Sequence, residues 1–495
     1  MKDNEIYKQA LRQLVQFCLW IIAARFTKGA ALVLMAILGV AWAFNGKAGK
    51  ALGMHVMITF MTVVNPHILA NDGMMAGLGL RVGPMAIGLA LALTEMSRKS
   101  GQRLPMGGLL VYLLFATVSS ISGWSPIISY LKLINFTIFF LGVWLGTSAI
   151  SKASGGVMHV RAVFLALAWF LVFGSIALYP FPGISTIQGL NQFADITDVA
   201  LKNALIEEMV LSGGASLFCG VTFHSQTFAP LLVCTFAWVL CDMLFVEKHL
   251  RWPHITLLTC AFPFLYLTRS RVAFFSLIVL LSLIYSYVPR RIKVDGRVRR
   301  WLKTVLSGGA ILLVLIAVIS EIQNNTISRW VRKTEDVDSD SRTLTEAVTA
   351  SRQGLMEMCL DDFKRNPMIG MGFQVASYTE QMAEGSKGLI LSAPIEKGVL
   401  PVMVLGEAGS IGFTIFILFL ISFYTGCGNR RLFITIVMMS ILLAINMGEA
   451  TFFSPGGVGG ITWVICIVGG YVLDISLSVT QNGGSIGQKD YGGWW

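Results

Sequence analysis

Two arginines, Arg269 and Arg271, stand two residues apart in LTRSRVAFF (267–275), between two long apolar runs. A guanidinium stays charged and presents a planar fork of donors that matches phosphate in a bidentate way. Two of them in an oily setting point to a bound anion, with snorkelling to lipid headgroups as the plain alternative. A third arginine, Arg352, lies in SRQGLMEMCLDDFKRNPMIGMGF (351–373). There Val348, Leu355, Cys359 and Phe363 fall within about 80° of one another at helical spacing, and Arg352 falls inside that apolar stripe. Buried arginine is rare unless paired. Arg352 therefore meets a structural carboxylate beneath it, or it faces the same anion as Arg271.

Other groups add weaker signals. Glu396, in SAPIEKGVLP, could take a proton from a hydroxyl if burial raises its pKa, or it could pair with Lys397. His224 opens an apolar run, Lys132 lies near the end of another, and Glu449 sits beside SPGGVGG. Lining the substrate site, meeting a phosphate and contacting acceptor sugar are their respective functional readings, and a helix-end hydrogen bond, snorkelling and a solvated turn the plain ones. Gly370 and Gly372 form a GxG that is uninformative alone. Asp336, Asp338 and Asp340 resemble a metal loop, yet an EF-hand needs glycine sixth and glutamate twelfth where this chain has Ser341 and Ala347. A solvated acidic loop is the better reading, and neither a metal nor another cofactor is expected. The eight cysteines have no disulfide or metal spacing and read as apolar filler.

The elements that must hold these groups are membrane helices. Of 495 residues 55% are hydrophobic and 13% charged, with mean hydropathy +0.70, whereas soluble domains carry about a quarter charged residues. Runs of about 20 apolar residues span a bilayer. They occur near 29–45, 52–70, 82–96, 107–123, 131–150, 160–180, 227–245, 254–268, 272–288, 304–320, 402–424, 432–447 and 459–477. A shorter run at 11–24 either spans or lies in the interface, giving about 13 or 14 helices in an all-α polytopic membrane protein. Residues 254–288 cannot be one span, because 35 residues at 1.5 Å would reach roughly 50 Å against a core of about 30 Å. The chain must turn near TRSR.

PRRIKVDGRVRRWLK (289–303) carries seven Lys or Arg and one acid, so it belongs in the cytoplasm. Counting outward places Lys47, Lys50, the 98–103 loop, Lys152, Arg161, 247–253, Arg430 and Arg431 on that side, and 181–226, 321–401 and 448–458 on the other. The +11 balance thus reflects topology, not nucleic-acid binding. The expected division is membrane helices over 1–320, a large outer loop over 321–401 with a helix near 344–365, three further membrane helices over 402–478, and a glycine-rich tail from 479 to 495. Thr343 with Glu346 fits a capping box for the loop helix, and Asn366-Pro367 fits its stop. Asn65, Pro66 and His67 mark an irregular helix end.

In order along the chain, GVTFHSQTFAPLL (220–232), LTRSRVAFF, the outer loop with Arg352, Asn366-Pro367 and Gly370-Met371-Gly372, and LGEAGSIGF (405–413) resemble the O-antigen ligase and polymerase-like superfamily of bacterial membrane glycosyltransferases. The resemblance implies a metal-independent enzyme acting on a polyprenyl-diphosphate-linked oligosaccharide at the periplasmic face of the inner membrane. It implies that Arg271 and Arg352 grip the diphosphate, with Arg269 beside them. Family ligases usually carry a His-Asn pair before the Glu-x-Gly helix, whereas 321–401 here holds no histidine. That departure tilts the expectation toward a polymerase of capsule, exopolysaccharide or O-antigen repeats. A ligase acting on lipid A-core or another acceptor, a protein oligosaccharyltransferase and a transporter of lipid-linked sugar remain the alternatives. A flippase and a chain-length regulator are the expected protein partners, with the lipid bilayer as surroundings.

Overall fold

A computed structural model describes residues 5–69, 74–97, 103–151, 154–186, 218–247, 251–268, 270–291, 344–376 and 398–481. Among these residues the chain is helical, with only two isolated β-bridges. The expected span at 304–320, the acidic run with Asp336, Asp338 and Asp340, the capping residue Thr343, and Arg269 and Glu396 lie outside the described residues. So does nearly all of the tail.

The helices are α1 (Glu5–Phe26), α2 (Ala30–Phe44), α3 (Ala48–Met61), α4 (Pro66–Leu69), α5 (Met74–Met96), α6 (Gly107–Ile121), α7 (Pro126–Ile150), α8 (Ser154–Leu178) and α9 (Pro182–Ser185). They continue with α10 (Ser225–Cys241), α11 (Trp252–Leu267), α12 (Arg271–Arg291), α13 (Leu344–Arg365), α14 (Leu400–Asn429), α15 (Phe433–Asn446), α16 (Gly457–Trp463) and α17 (Gly470–Gln481). Two π-helical segments, Asp242–Glu247 and Val464–Gly469, extend α10 and join α16 to α17. Six helical stretches are long and apolar enough to cross a membrane and five more apolar helices are shorter, so the protein is an all-α polytopic membrane protein. In lipid every backbone N–H and C=O needs a partner inside the protein, which leaves helices as the economical solution for such runs.

Burial sorts the spans. In the most apolar 18 residues of Ser225–Glu247 and of Gly457–Val479, 94% and 89% are buried, which puts them at the centre of the bundle, whereas the same stretch of Leu400–Asn429 is only 44% buried. Outer helices turn leucines and isoleucines outward, as Leu34, Ile37, Leu114 and Leu418 do. Glycines let neighbours close in, as lipid-embedded helices require: Gly142 of α7 lies directly on Gly88 of α5.

α1 resolves the ambiguous first run. Ile6, Ala10, Gln13, Phe17, Ile21 and Ala24 form its buried face. At its start the Tyr7 hydroxyl bonds His254 Nδ1 at 3.2 Å, and at its end the Arg25 guanidinium donates to the carbonyls of His67 and Ile68. The helix therefore traverses the bundle, from the end that carries the basic loops to the opposite end.

Two expectations need correction. α3 stops at Met61, short of its apolar run, because Val64 pairs with Thr222 and Asn65 N donates to the Val221 carbonyl. Asn65 Oδ1 then caps His67 N, as an irregular helix end requires. Arg161 is not a loop charge. It lies inside α8, 6% exposed, and binds Asp242 at 2.8 Å through Nε and also Glu247. Asp242 in turn meets His254 Nε2 at 2.9 Å, and Arg251 stands 3.5 Å from Glu247.

Candidate functional site

The end opposite the basic loops is built around a break in α14. Gly409 has φ 63 and ψ −168, a conformation open essentially to glycine alone, and it interrupts the helix. A continuous helix would bond Ser410 N to Gly406 O and Ile411 N to Glu407 O. The break frees these four groups in an apolar setting where none can stay unpaired.

The end of the outer loop satisfies all four. Met371 N donates to Gly406 O at 2.9 Å and Gly372 N to Glu407 O at 3.0 Å, while Ser410 N donates to Pro367 O at 2.8 Å and Ile411 N to Met368 O at 3.2 Å. Two helical bonds are exchanged for four across the interface. The Ser119 hydroxyl adds a further donor to Glu407 O.

This lock explains the glycines. A Cβ on Gly370 (φ +76) would fall onto the Glu407 carbonyl, and one on Gly409 onto that of Met368. Gly372 has φ +107, and a Cβ on Gly406 would stand 2.8 Å from the Cys359 carbonyl. Gly370 and Gly372 are thus placed as lock residues, with their amide groups and close approach serving the backbone.

The turn between α6 and α7 clamps the same segment. Trp124 N donates to Met371 O at 3.0 Å and its indole to Asp362 Oδ1 at 2.8 Å, and the Arg365 guanidinium lies 4.9 Å from the indole centroid. Ser129 donates to Phe373 O at 3.0 Å, and Lys132, 2% exposed, donates to Gln374 O at 3.2 Å. Lys132 accordingly orders the loop from below. Phe373 packs 5.4 Å from Phe453 and 6.1 Å from Phe136.

α13 has the expected bounds and ends before Asn366-Pro367. It buries Cys359 and Asp362, with Leu355 and Phe363 half-buried. Position 352 lies two turns earlier in register with Cys359, while the side chain of Arg352 is outside the described residues. On the exposed side Lys364 bonds Asp361 at 2.9 Å and holds its carboxyl below the usual range.

Arg271 opens α12, half-buried, directly after a turn in which Ser270 Oγ accepts from Ala273 N at 3.3 Å. Its neighbour Val272 packs against Gly448, so Arg271 and Glu449 flank one contact between α12 and the end of α15. Glu449 is half-buried. The loop beyond Glu449 leads to Phe453 and hence to Phe373, joining the Arg271 turn to the lock. His224 stands apart in role: its Nδ1 accepts from Gln226 N at 3.0 Å and caps α10. Nearby, burial pushes the Cys219 thiol up to about 12, in keeping with a cysteine that acts as filler.

Three residues were not singled out from sequence. Glu407 is 1% exposed and lies in the lock, Asp362 is 4% exposed, and Trp124 binds Asp362. A lone acid inside an apolar run is costly in a membrane, and that signal marks Glu407. No comparable signal marks Trp124.

Residues 255–393 match the O-antigen ligase family. The match covers Arg271, α13 and the Gly370-Met371-Gly372 segment, and it supports an O-antigen ligase/polymerase-like family, with a glycosyltransferase-like activity, for this chain. A comparison with curated proteins gives no match.

Proposed function

From an O-antigen ligase-type domain over residues 255–393, we propose that the chain is a metal-independent glycosyltransferase that polymerises polyprenyl-diphosphate-linked saccharide repeats at the periplasmic face of the inner membrane. Arg271 and Arg352 hold the diphosphate of the growing chain, and Arg269 assists. A hydroxyl of the incoming lipid-linked repeat forms a bond to the anomeric carbon. The bond from that carbon to the diphosphate breaks, with its electron pair leaving on the diphosphate, and Glu396 takes the hydroxyl proton. A single in-line displacement of this kind inverts the anomeric centre.

The leaving group gains negative charge as the sugar bond breaks, so fixed cations stabilise the transition state more than the ground state. What carries the reading is the placement of Arg271 and of the α13 and GMG segment at one end of the bundle, joined through Gly448 and the Phe453–Phe373 contact. Lys132 and Glu449 sit around that junction, so we assign them to shaping the substrate site, whereas His224 acts as a helix cap. The missing histidine in 321–401 favours polymerisation over ligation.

The test uses purified protein, an oligosaccharide on polyprenyl diphosphate, and EDTA throughout. Longer chains are expected with the wild type. Arg271→Lys and Arg352→Lys should each lower transfer at least about a hundredfold in folded protein, because lysine keeps charge but loses the bidentate fork. Full activity in both variants rules out the diphosphate clamp. Transfer only to an added lipid A-core acceptor would make the protein a ligase.

A further inference from the structure

A groove of about 520 Å³ opens between α1, α8 and α11, lined by Leu14, Trp169, Phe173, Trp252, Pro253 and Thr256. Its lining is almost wholly apolar, so it suits a hydrocarbon chain. The walls are tied together: Tyr7 of α1 bonds His254 of α11 at 3.2 Å, and His254 is anchored on Asp242, which binds Arg161 of α8. A groove held this way is formed before anything enters it.

Beyond the groove one face of α11 stays exposed. Trp252, Thr256, Thr259, Pro263 and Tyr266 are all exposed and recur at intervals of four and three, forming one lipid-facing stripe along the helix. The stripe is about 21 Å long at 1.5 Å per residue and ends immediately before the turn that presents Arg271. Two small threonines and a proline lie between the aromatic ends, Trp252 and Tyr266, and make the track shallow.

Resting on the diphosphate assignment above, we infer that this stripe and groove hold the polyprenyl tail of the lipid-linked donor whose diphosphate sits at Arg271. The tail leaves the diphosphate, descends along α11 and enters the groove beside Leu14 and Trp169. A phospholipid tail from the leaflet at the Arg271 end covers about half of a 30 Å core and stops short of the groove, whereas a long polyprenyl chain reaches it. The enzyme thereby reads the length of the lipid as well as its charge.

Photoactivatable undecaprenyl diphosphate, added to the full-length protein in phosphatidylethanolamine and phosphatidylglycerol vesicles, tests this directly. Label is expected on peptides containing Leu14, Trp169 or Thr256, displaced by unlabelled undecaprenyl diphosphate and not by added phosphatidylglycerol. Thr256→Trp and Leu14→Trp, two separate ways of filling the groove, should reduce labelling. Each should raise KM for an undecaprenyl-tailed donor about tenfold, the equivalent of about two lost methylene contacts, while leaving KM for a farnesyl-tailed donor unchanged. Label elsewhere, equal displacement by phosphatidylglycerol, or identical shifts for both donors overturns the inference. Groove labelling without transfer from either donor supports the groove and counts against the transferase reading. Transfer without groove labelling counts against the groove alone.

Discussion

The two ends of the bundle are held by different physics. At the basic-loop end, Arg161, Asp242, Glu247 and Arg251 answer one another's charges with His254 bonded to Asp242, and three of the four contacts lie almost wholly out of solvent. At the opposite end the strongest links are backbone hydrogen bonds between 367–372 and a broken helix, packed around glycines. The first arrangement uses its cations to hold helices together. The second orders a loop with peptide groups and so needs few charges for its own cohesion, which suits the diphosphate site proposed there.

Breaking the ionic end should cost the most. Asp242→Asn leaves Arg161 facing one carboxylate fewer in a buried site, and loss of one member of such a pair costs about 3–5 kcal/mol. A clear fall in thermal midpoint in detergent is expected. The double replacement Arg161→Met with Asp242→Leu should recover much of it, because a buried ion pair is often replaceable by apolar packing. A double variant as unstable as Asp242→Asn would show that the pairing itself is indispensable.

The lock has no such substitute. Gly409→Ala forces a side chain into a backbone region that costs about 1–3 kcal/mol and onto the Met368 carbonyl. The loop should detach from α14, seen as new protease cleavage between 366 and 376, with transfer lost even where the spans survive. Unchanged protection of that segment would mean that the four cross-bonds do not hold it.

The same contrast decides what was legible in the sequence. Helix 344–365 emerged with its bounds because its stripe, its Asn-Pro stop and its length are local properties. GEAGSIG reads as unbroken helix, since the break at Gly409 makes sense only once 367–372, some forty residues earlier, offers partners for the freed groups. Arg161 reads as a loop charge because net charge near a helix end looks the same whether or not a carboxylate answers it. Its partner Asp242 lies 81 residues away, just as Tyr7 lies 247 residues from the His254 it bonds. The Arg271 turn was legible from length alone, while its neighbour Gly448 was not, because contacts between distant turns leave no periodic trace.

The smallest effect should come from a single charged hydrogen bond that clamps the lock, Trp124 to Asp362. Trp124→Phe keeps a ring beneath Arg365 and removes the indole N–H from Asp362, a residue 4% exposed. Loss of a donor to a buried acceptor costs about 1–3 kcal/mol, less than breaking the Asp242 pair. Pairing Trp124→Phe with Asp362→Leu separates the bond from the ring: if the bond matters, the double variant should be more stable than the sum of the single losses. Additive losses would mean that Trp124 acts only through packing and cation contact. The end of α13, and with it the register of position 352, would then rest on the backbone lock alone.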